Sequence, residues 1–380
     1  ENAGSTILTA AIKPCPTRGL AVLRILALLI VIFGTVVGLA PSDASAQDGD
    51  GEARFIDTTA TSVFQDSMTF RLNVESDDVI EEVALFWHPR DDPELSADFP
   101  EIAPGTSIQL EHKVDTSVDY LPPGLDIVYF WRVTEDDGDV TESPEQTLFY
   151  MDERLEWETV TDGLVTVYSH AGGDAFAGTI LDTATRTAEG LGTRFAVDAD
   201  EPMRIIVYSD DDAFAAALQA NSAEWIGGQA FPWLNLIIAY IQPGGGAESE
   251  VRRMIPHEVS HLIIDQVTEN PYNSAPTWLD EGLAVYNQEM QDQDFEGLVE
   301  DAVDDGRLIP IRALNSTFPL DPGQATLSYA ESLSIVTYIL ETHGDEAMAN
   351  LVNVFREEVT YDEAVQRSLG MTIDELDQAW

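Results

Sequence analysis

Ile255-Pro256-His257-Glu258-Val259-Ser260-His261-Leu262 is the stretch whose reading decides the fold of the second half of this chain. Residues four apart lie one turn apart on one face of a helix, so His257 and His261 can reach a single ion, with Glu258 flanking the first of them. Val259, Leu262, Ile263 and Val267 supply apolar contacts on the rest of the segment, as a ligand-bearing helix anchored in a core requires. The plain alternative is a pair of helix histidines with ordinary hydrogen bonds and a solvated Glu258.

The neighbourhood favours the metal. Twenty residues after His261 stands Glu281, within Pro276-Thr277-Trp278-Leu279-Asp280-Glu281-Gly282-Leu283-Ala284. Pro276 suits a first helical turn, so Glu281 is expected on a second helix that a loop folds back antiparallel to the first. Gly282 then sits in a helix interior, where it costs about 1 kcal/mol relative to Ala, and close approach of two backbones is the simplest reason to keep it. If the approaching helix is the one with the histidines, Glu281 becomes the third ligand and a fourth position stays open for water. A later helix around Leu327 to Ile339 places Tyr329 at the end of an inward stripe with Leu333, Val336 and Leu340. From there its hydroxyl either reaches the site as a hydrogen-bond donor to an oxyanion or is simply a core tyrosine.

His-Glu-x-x-His is a metallopeptidase pattern, and with Trp278-Leu279-Asp280-Glu281-Gly282-Leu283-Ala284 the chain resembles the gluzincin metallopeptidases, more narrowly the bacterial peptidase MA-like family. The resemblance covers roughly 157–380. It implies an α+β zincin-like catalytic domain, zinc on His257, His261 and Glu281, Glu258 as general base, and a peptide or protein substrate laid along the edge of the strand Leu234 to Ile241. One departure stands out: the carboxylate that some gluzincins place one turn after the glutamate ligand is Val285 here. Asp265 or Asp280 is left to orient a histidine.

Upstream of that domain the pattern changes. Short strands at Leu164 to Tyr168 and Arg204 to Tyr208 alternate with helices, but from Phe55 to Tyr150 the period is two: Met68, Phe70, Leu72 and Val74, then Leu125, Ile127, Tyr129, Trp131 and Val133. With turn chemistry at Asp91-Asp92-Pro93, Pro122-Pro123-Gly124 and Asp136-Asp137-Gly138-Asp139, this reads as an all-β sandwich domain over 50–153, weakly similar to fibronectin type III and immunoglobulin-like domains. The expected domains are thus 1–46, 50–153 and 157–380.

Residues 1–46 carry Lys13, Arg18 and Arg24, an apolar run from Ile25 to Ala40 and Ala44-Ser45-Ala46. That is a signal peptide cut before Gln47, or an uncleaved N-terminal membrane anchor; either exports the rest to the extracellular space or the outer face of the envelope. The single cysteine, Cys15, precedes the run, so no disulfide or Cys-ligated metal is expected downstream.

Composition adds an exclusion. Eighteen basic residues against 69 acidic ones give a net charge of −51, the wrong sign for nucleic acid or an anionic membrane surface. Only Lys13 and Lys113 are lysines, a balance that fits a protein kept soluble in high salt or simply an acidic secreted one. His88, His112, His170 and His343 lack partners at metal spacing and read as structural, and the aspartate runs at 136–139 and 210–212 lack calcium-loop spacing. Trp225, Phe231 and Trp233 line a substrate cleft or belong to ordinary packing. The rival to an enzyme is a non-catalytic envelope or adhesion protein on a zincin scaffold, against which the intact Glu258 argues. The sequence is silent on oligomeric state.

Overall fold

The computed structural model describes residues 53–380 apart from 93, 119, 199–200, 220–226, 272–273 and 292. The expected leader over 1–46, Cys15 and Trp225 lie outside the described residues. Among the described residues no helix is long and apolar enough to cross a membrane.

The period-two region folds as strands throughout: β1 (Arg54–Asp57), β2 (Ala60–Val63), β3 (Ser67–Pro89), β4 (Ser96–Asp98), β5 (Gly105–Asp115), β6 (Leu125–Glu135), β7 (Val140–Glu142) and β8 (Gln146–Tyr150). All pairings are antiparallel, and they join the eight strands into one connected sheet. Its spine is the 23-residue β3, whose first half pairs with β1, β2 and β5 and whose second half pairs with β4 and β6; the register shifts between Glu75 and Ile80. Alternation does what the sequence requires: Met68, Phe70, Leu72 and Val74 are buried, as are Ile127, Tyr129, Trp131 and Val133.

The second half is a mixed sheet with helices. Its strands are β9 (Glu158–Asp162), β10 (Val165–Ser169), β11 (Met203–Tyr208), β12 (Gly228–Phe231) and β13 (Leu236–Tyr240), in the order β12-β13-β11-β10-β9. β10, β11 and β13 are parallel to one another, while β9 and β12 run antiparallel at the two edges. This corrects one expectation: the strand within Leu234 to Ile241 lies inside the sheet, and the edge beside the metal-motif helix is β12. Leu236, Ile237, Ile238 and Ala239 are all buried because both faces of β13 are covered.

Helices α1 (Gly173–Phe195) and α3 (Ala247–Thr268) cover one face of this sheet, where Val167, Ile205, Val207 and Ile237 meet Ile180, Ala184, Val259 and Ile263. The other face joins the eight-stranded sheet. Ile206, Tyr208, Leu236 and Ile238 share a core with Met68, Phe70, Ile127 and Trp131. Polar ties reinforce that seam: Arg204 donates to Gly124 O at 2.8 Å and to Asp126 Oδ2 at 2.6 Å, and Tyr208 OH donates to the fully buried Asp152 at 3.1 Å. The short helix α2 (Asp211–Ala217) is tied to the same seam by Tyr120 OH, which donates to Ala217 O.

The rest is helical: α4 (Thr277–Tyr286), α5 (Phe295–Asp304), α6 (Pro322–Asn353, broken at Gly344), α7 (Tyr361–Leu369) and α8 (Ile373–Ala379). Gly282 on α4 is a close approach, as its place in a helix implied, but its neighbour is α6 and not the histidine helix. A Cβ there would lie 2.5 Å from the Ser332 carbonyl oxygen.

Candidate active site

Three helices build the site. α3 is buried along almost its whole length and presents His257, Glu258 and His261; α4 presents Asp280 and Glu281; α6 presents Tyr329. None of His257, Glu258, His261, Glu281 and Tyr329 is more than 3% exposed. The i, i+4 spacing sets the two imidazoles edge-to-face, their centroids 5.0 Å apart and their planes at 79°. Glu281 Oε2 then lies 3.5 Å from His257 Nε2 and 3.5 Å from His261 Nε2.

These three donor atoms converge within 4.8 Å of one another, as a tetrahedral ion with one open position requires. Both Nε2 atoms are buried without a hydrogen-bond partner, an arrangement that is costly unless something accepts their lone pairs. Two imidazoles and a carboxylate form a donor set suited to zinc, so the residues fit the ion that the motifs imply.

The outer face of each ring is held. His261 Nδ1 lies 3.0 Å from Asp280 Oδ1 and donates its proton there, which turns Nε2 toward Glu281. Of the two aspartates that sequence spacing left open, Asp280 is the one on a histidine. His257 Nδ1 lies 3.0 Å from Nε2 of the Gln288 carboxamide, a partner absent from the sequence expectations. The signal that points to it is Pro256, which lacks an N–H and so leaves the Arg252 carbonyl, four residues back, without a helical donor.

Electrostatics separate the groups. Burial, together with the charges of His261 and Arg253, holds His257 well below the usual histidine range. Burial acts the same way on His261, but the charges of Asp280 and Glu281 outweigh it and raise that ring to about 10. Glu258 is pushed up to about 7 by burial, against the opposing pull of His261, Arg253 and the Ala230 N–H. Tyr329 is driven well above the usual phenol range by burial and then by Glu281, Glu258 and Asp280, so its hydroxyl stays a donor at neutral pH. Its ring lies 6.4 Å from that of His257 and packs edge-on to Phe318 at 5.1 Å.

The sheet edge closes in beside Glu258. A Cβ on Gly228 would meet Glu258 Oε1 at 2.7 Å, so the first position of β12 has no room for a side chain. Phe231, at the other end of β12, is buried in the core shared with the eight-stranded sheet, while Trp233 lines a separate cavity of about 550 Å³ together with Asp91, Glu201, Asp265 and Glu269. Three of the four histidines read as structural make such contacts: His88 Nδ1 faces the Pro89 and Asp92 carbonyls, His112 lies 3.6 Å from Asp98, and His170 Nε2 accepts the Ser209 N–H at 2.8 Å, whereas His343 Nε2 is buried with no hydrogen-bond partner among the described residues.

Comparison with known proteins bears on the same region. No curated protein matches the sequence. Among solved structures, OgpA from Akkermansia muciniphila is similar at 15% identity and a TM-score of 0.22, over 27% of this chain and 28% of that one. The chain therefore spans little more than a quarter of OgpA. An M1 zinc metallopeptidase from Deinococcus radiodurans is similar at 15% identity and a TM-score of 0.39, over 82% of this chain and 88% of that one. The profile of the Peptidase MA superfamily matches residues 179–380, more than half of the chain, with every residue of the cluster inside the match. On that match, and with a zincin-like His-His-Glu cluster in place, the chain belongs to the Peptidase MA superfamily.

Proposed function

We propose that the protein is an exported zinc-dependent metallopeptidase of the gluzincin type, hydrolysing peptide bonds with Glu258 as general base. The observation that carries this reading is the convergence of His257 Nε2, His261 Nε2 and Glu281 Oε2 within 4.8 Å in a buried site. Zinc held by these three would polarise a scissile carbonyl and acidify a water molecule. Glu258 takes the proton from that water and returns it to the leaving amine, a task suited to a carboxyl that burial has raised to about 7. Tyr329 keeps its proton and donates a hydrogen bond to the oxyanion. An extended peptide lies along β12, the edge strand whose Gly228 faces Glu258. Read as a signal peptide or N-terminal anchor, residues 1–46 support an activity outside the cell or on the outer face of the envelope, with the eight-stranded region as an immunoglobulin-like or fibronectin-like accessory module.

The test separates metal binding from chemistry. Purified protein is expected to hold about one zinc per chain and to turn over a mixed peptide library. Glu258→Gln should keep the zinc and the fold yet abolish turnover, while Glu281→Ala or His261→Ala should lose the metal. Tyr329→Phe should keep zinc and lower kcat. A protein without zinc, or full activity in Glu258→Gln, overturns the proposal in favour of a binding protein on a zincin scaffold.

A further inference from the structure

Pro256 stands inside α3, immediately before His257. Its ring nitrogen carries no proton, so the Arg252 carbonyl is deprived of the helical bond that residue 256 would otherwise supply. That carbonyl accepts the Glu289 N–H, at 2.9 Å, from the turn that follows α4. Two further contacts fasten the same turn. Asn287 Nδ2 donates to Ser260 Oγ at 3.0 Å, and Ser260 Oγ donates to the Pro256 carbonyl at 2.7 Å. The Glu289 carboxylate accepts from Arg252 Nε at 3.0 Å and from Arg186 Nη2 at 2.9 Å. Between these two anchored residues lies Gln288, whose carboxamide nitrogen, Nε2, is 3.0 Å from His257 Nδ1.

We propose that Gln288 is the positioning residue of His257, docked there by the carbonyl that Pro256 frees. This inference rests on the zinc reading above. An imidazole that gives Nε2 to a metal carries its proton on Nδ1 and needs an acceptor there. The two ends of a carboxamide are nearly the same size, so its oxygen occupies the place facing Nδ1 as readily as its nitrogen. The position that would otherwise supply the acceptor, one turn after Glu281, is Val285, which is buried in an apolar cluster with Phe295, Tyr329 and Ala330. The two rings are therefore oriented by unlike partners: His261 by the carboxylate of Asp280, His257 by a neutral amide. Since Glu258, Asp280 and Glu281 already bring three carboxylates together, the neutral choice spares the site a fourth.

Zinc dissociation constants, measured on zinc-free protein by competition with a chromogenic chelator, test the idea. Gln288→Met keeps the length of the side chain and removes the acceptor; it should weaken zinc by about 10- to 100-fold while the melting temperature of the zinc-free protein holds. Gln288→Glu restores an acceptor and should bind zinc at least as tightly as the parent. If Met binds zinc as the parent does, or if Met and Glu lose it equally, Gln288 is not acting through His257 and the inference is overturned. A parent protein that binds no zinc takes down the metallopeptidase reading itself, whereas a zinc-binding parent with an indifferent Met variant takes down only this inference. Should the Met variant fail to fold, nitrogen-15 spectra of the zinc-loaded parent decide instead. They should show a proton on His257 Nδ1 with a cross-peak to the Gln288 side chain, and a bare or metal-bound Nδ1 refutes the assignment.

Discussion

Glu331 on α6 has no exposed surface, and its carboxylate accepts the Ile309 N–H at 3.0 and 3.1 Å. Burial raises its carboxyl to about 7, the Ile309 N–H offsets part of that, and the charge of Asp377 adds to it. In the unfolded chain the same group titrates near the ordinary glutamate value of about 4.3. Across that window the folded protein binds a proton that the unfolded chain has released, so stability is greatest below it and falls as pH rises toward 7. The loss is at most about 4 kcal/mol. Glu331→Gln should flatten this part of the curve; urea midpoints from pH 4 to pH 8 that keep the parent slope would refute the assignment. Residues of this kind mark the limit of what the sequence reveals. His257, His261 and Glu281 were legible because helical spacing alone places the histidines on one face and the second motif supplies the carboxylate. The choice of Asp280 over Asp265, and the part of Gln288, were not, because which side chain meets a ring depends on how α4 ends and where its following turn docks.

Between elements, two glycines without room for a methyl group set a useful contrast. At Gly282 the obstacle to a Cβ is the Ser332 carbonyl of α6, a backbone atom that cannot step aside; at Gly228 it is the carboxylate of Glu258, the end of a side chain. Helix propensity alone would favour Gly282→Ala by about 1 kcal/mol. Overpacking against backbone costs about 1–3 kcal/mol and should prevail, so this variant melts earlier and, with Glu281 adjacent, holds metal less tightly. Gly228→Ala should leave the melting temperature nearly unchanged and lower kcat, because the methyl displaces the Glu258 carboxylate, the proposed general base. Equal melting temperatures for both variants would contradict the packing at α6. The sheet explains why its edge was misread from sequence. A strand covered on both faces reads as an unbroken apolar run, as Leu236 to Ala239 do, and such a run announces burial without revealing its neighbours. The true edge, Gly228-Gln229-Ala230-Phe231, is too short to display any period.

At the scale of the molecule, the change of period near residue 154 separates two patterns, but packing crosses it. Gly124, at φ +93°, lies where a Cβ would come 2.8 Å from Ile206 Cδ1 on the neighbouring sheet, and Tyr208 and Arg154 meet on the buried carboxylate of Asp152. A core drawn from both sheets resists opening one without exposing the other. The net charge of −51 acts on this whole body at once, since at an ionic strength of about 0.01 M charges are felt over about 30 Å, and at about 1 M over only about 3 Å. Self-repulsion should therefore strain the compact state most where salt is scarce. Calorimetry in NaCl from about 0.01 M to about 1 M is expected to show a single transition throughout, moving to higher temperature as salt is added. Two resolved transitions would mean that the sheets unfold independently despite their shared core. A melting temperature that stays flat or falls would mean that short-range pairs such as Arg204 with Asp126 matter more than the overall field, because added salt screens those attractions as well.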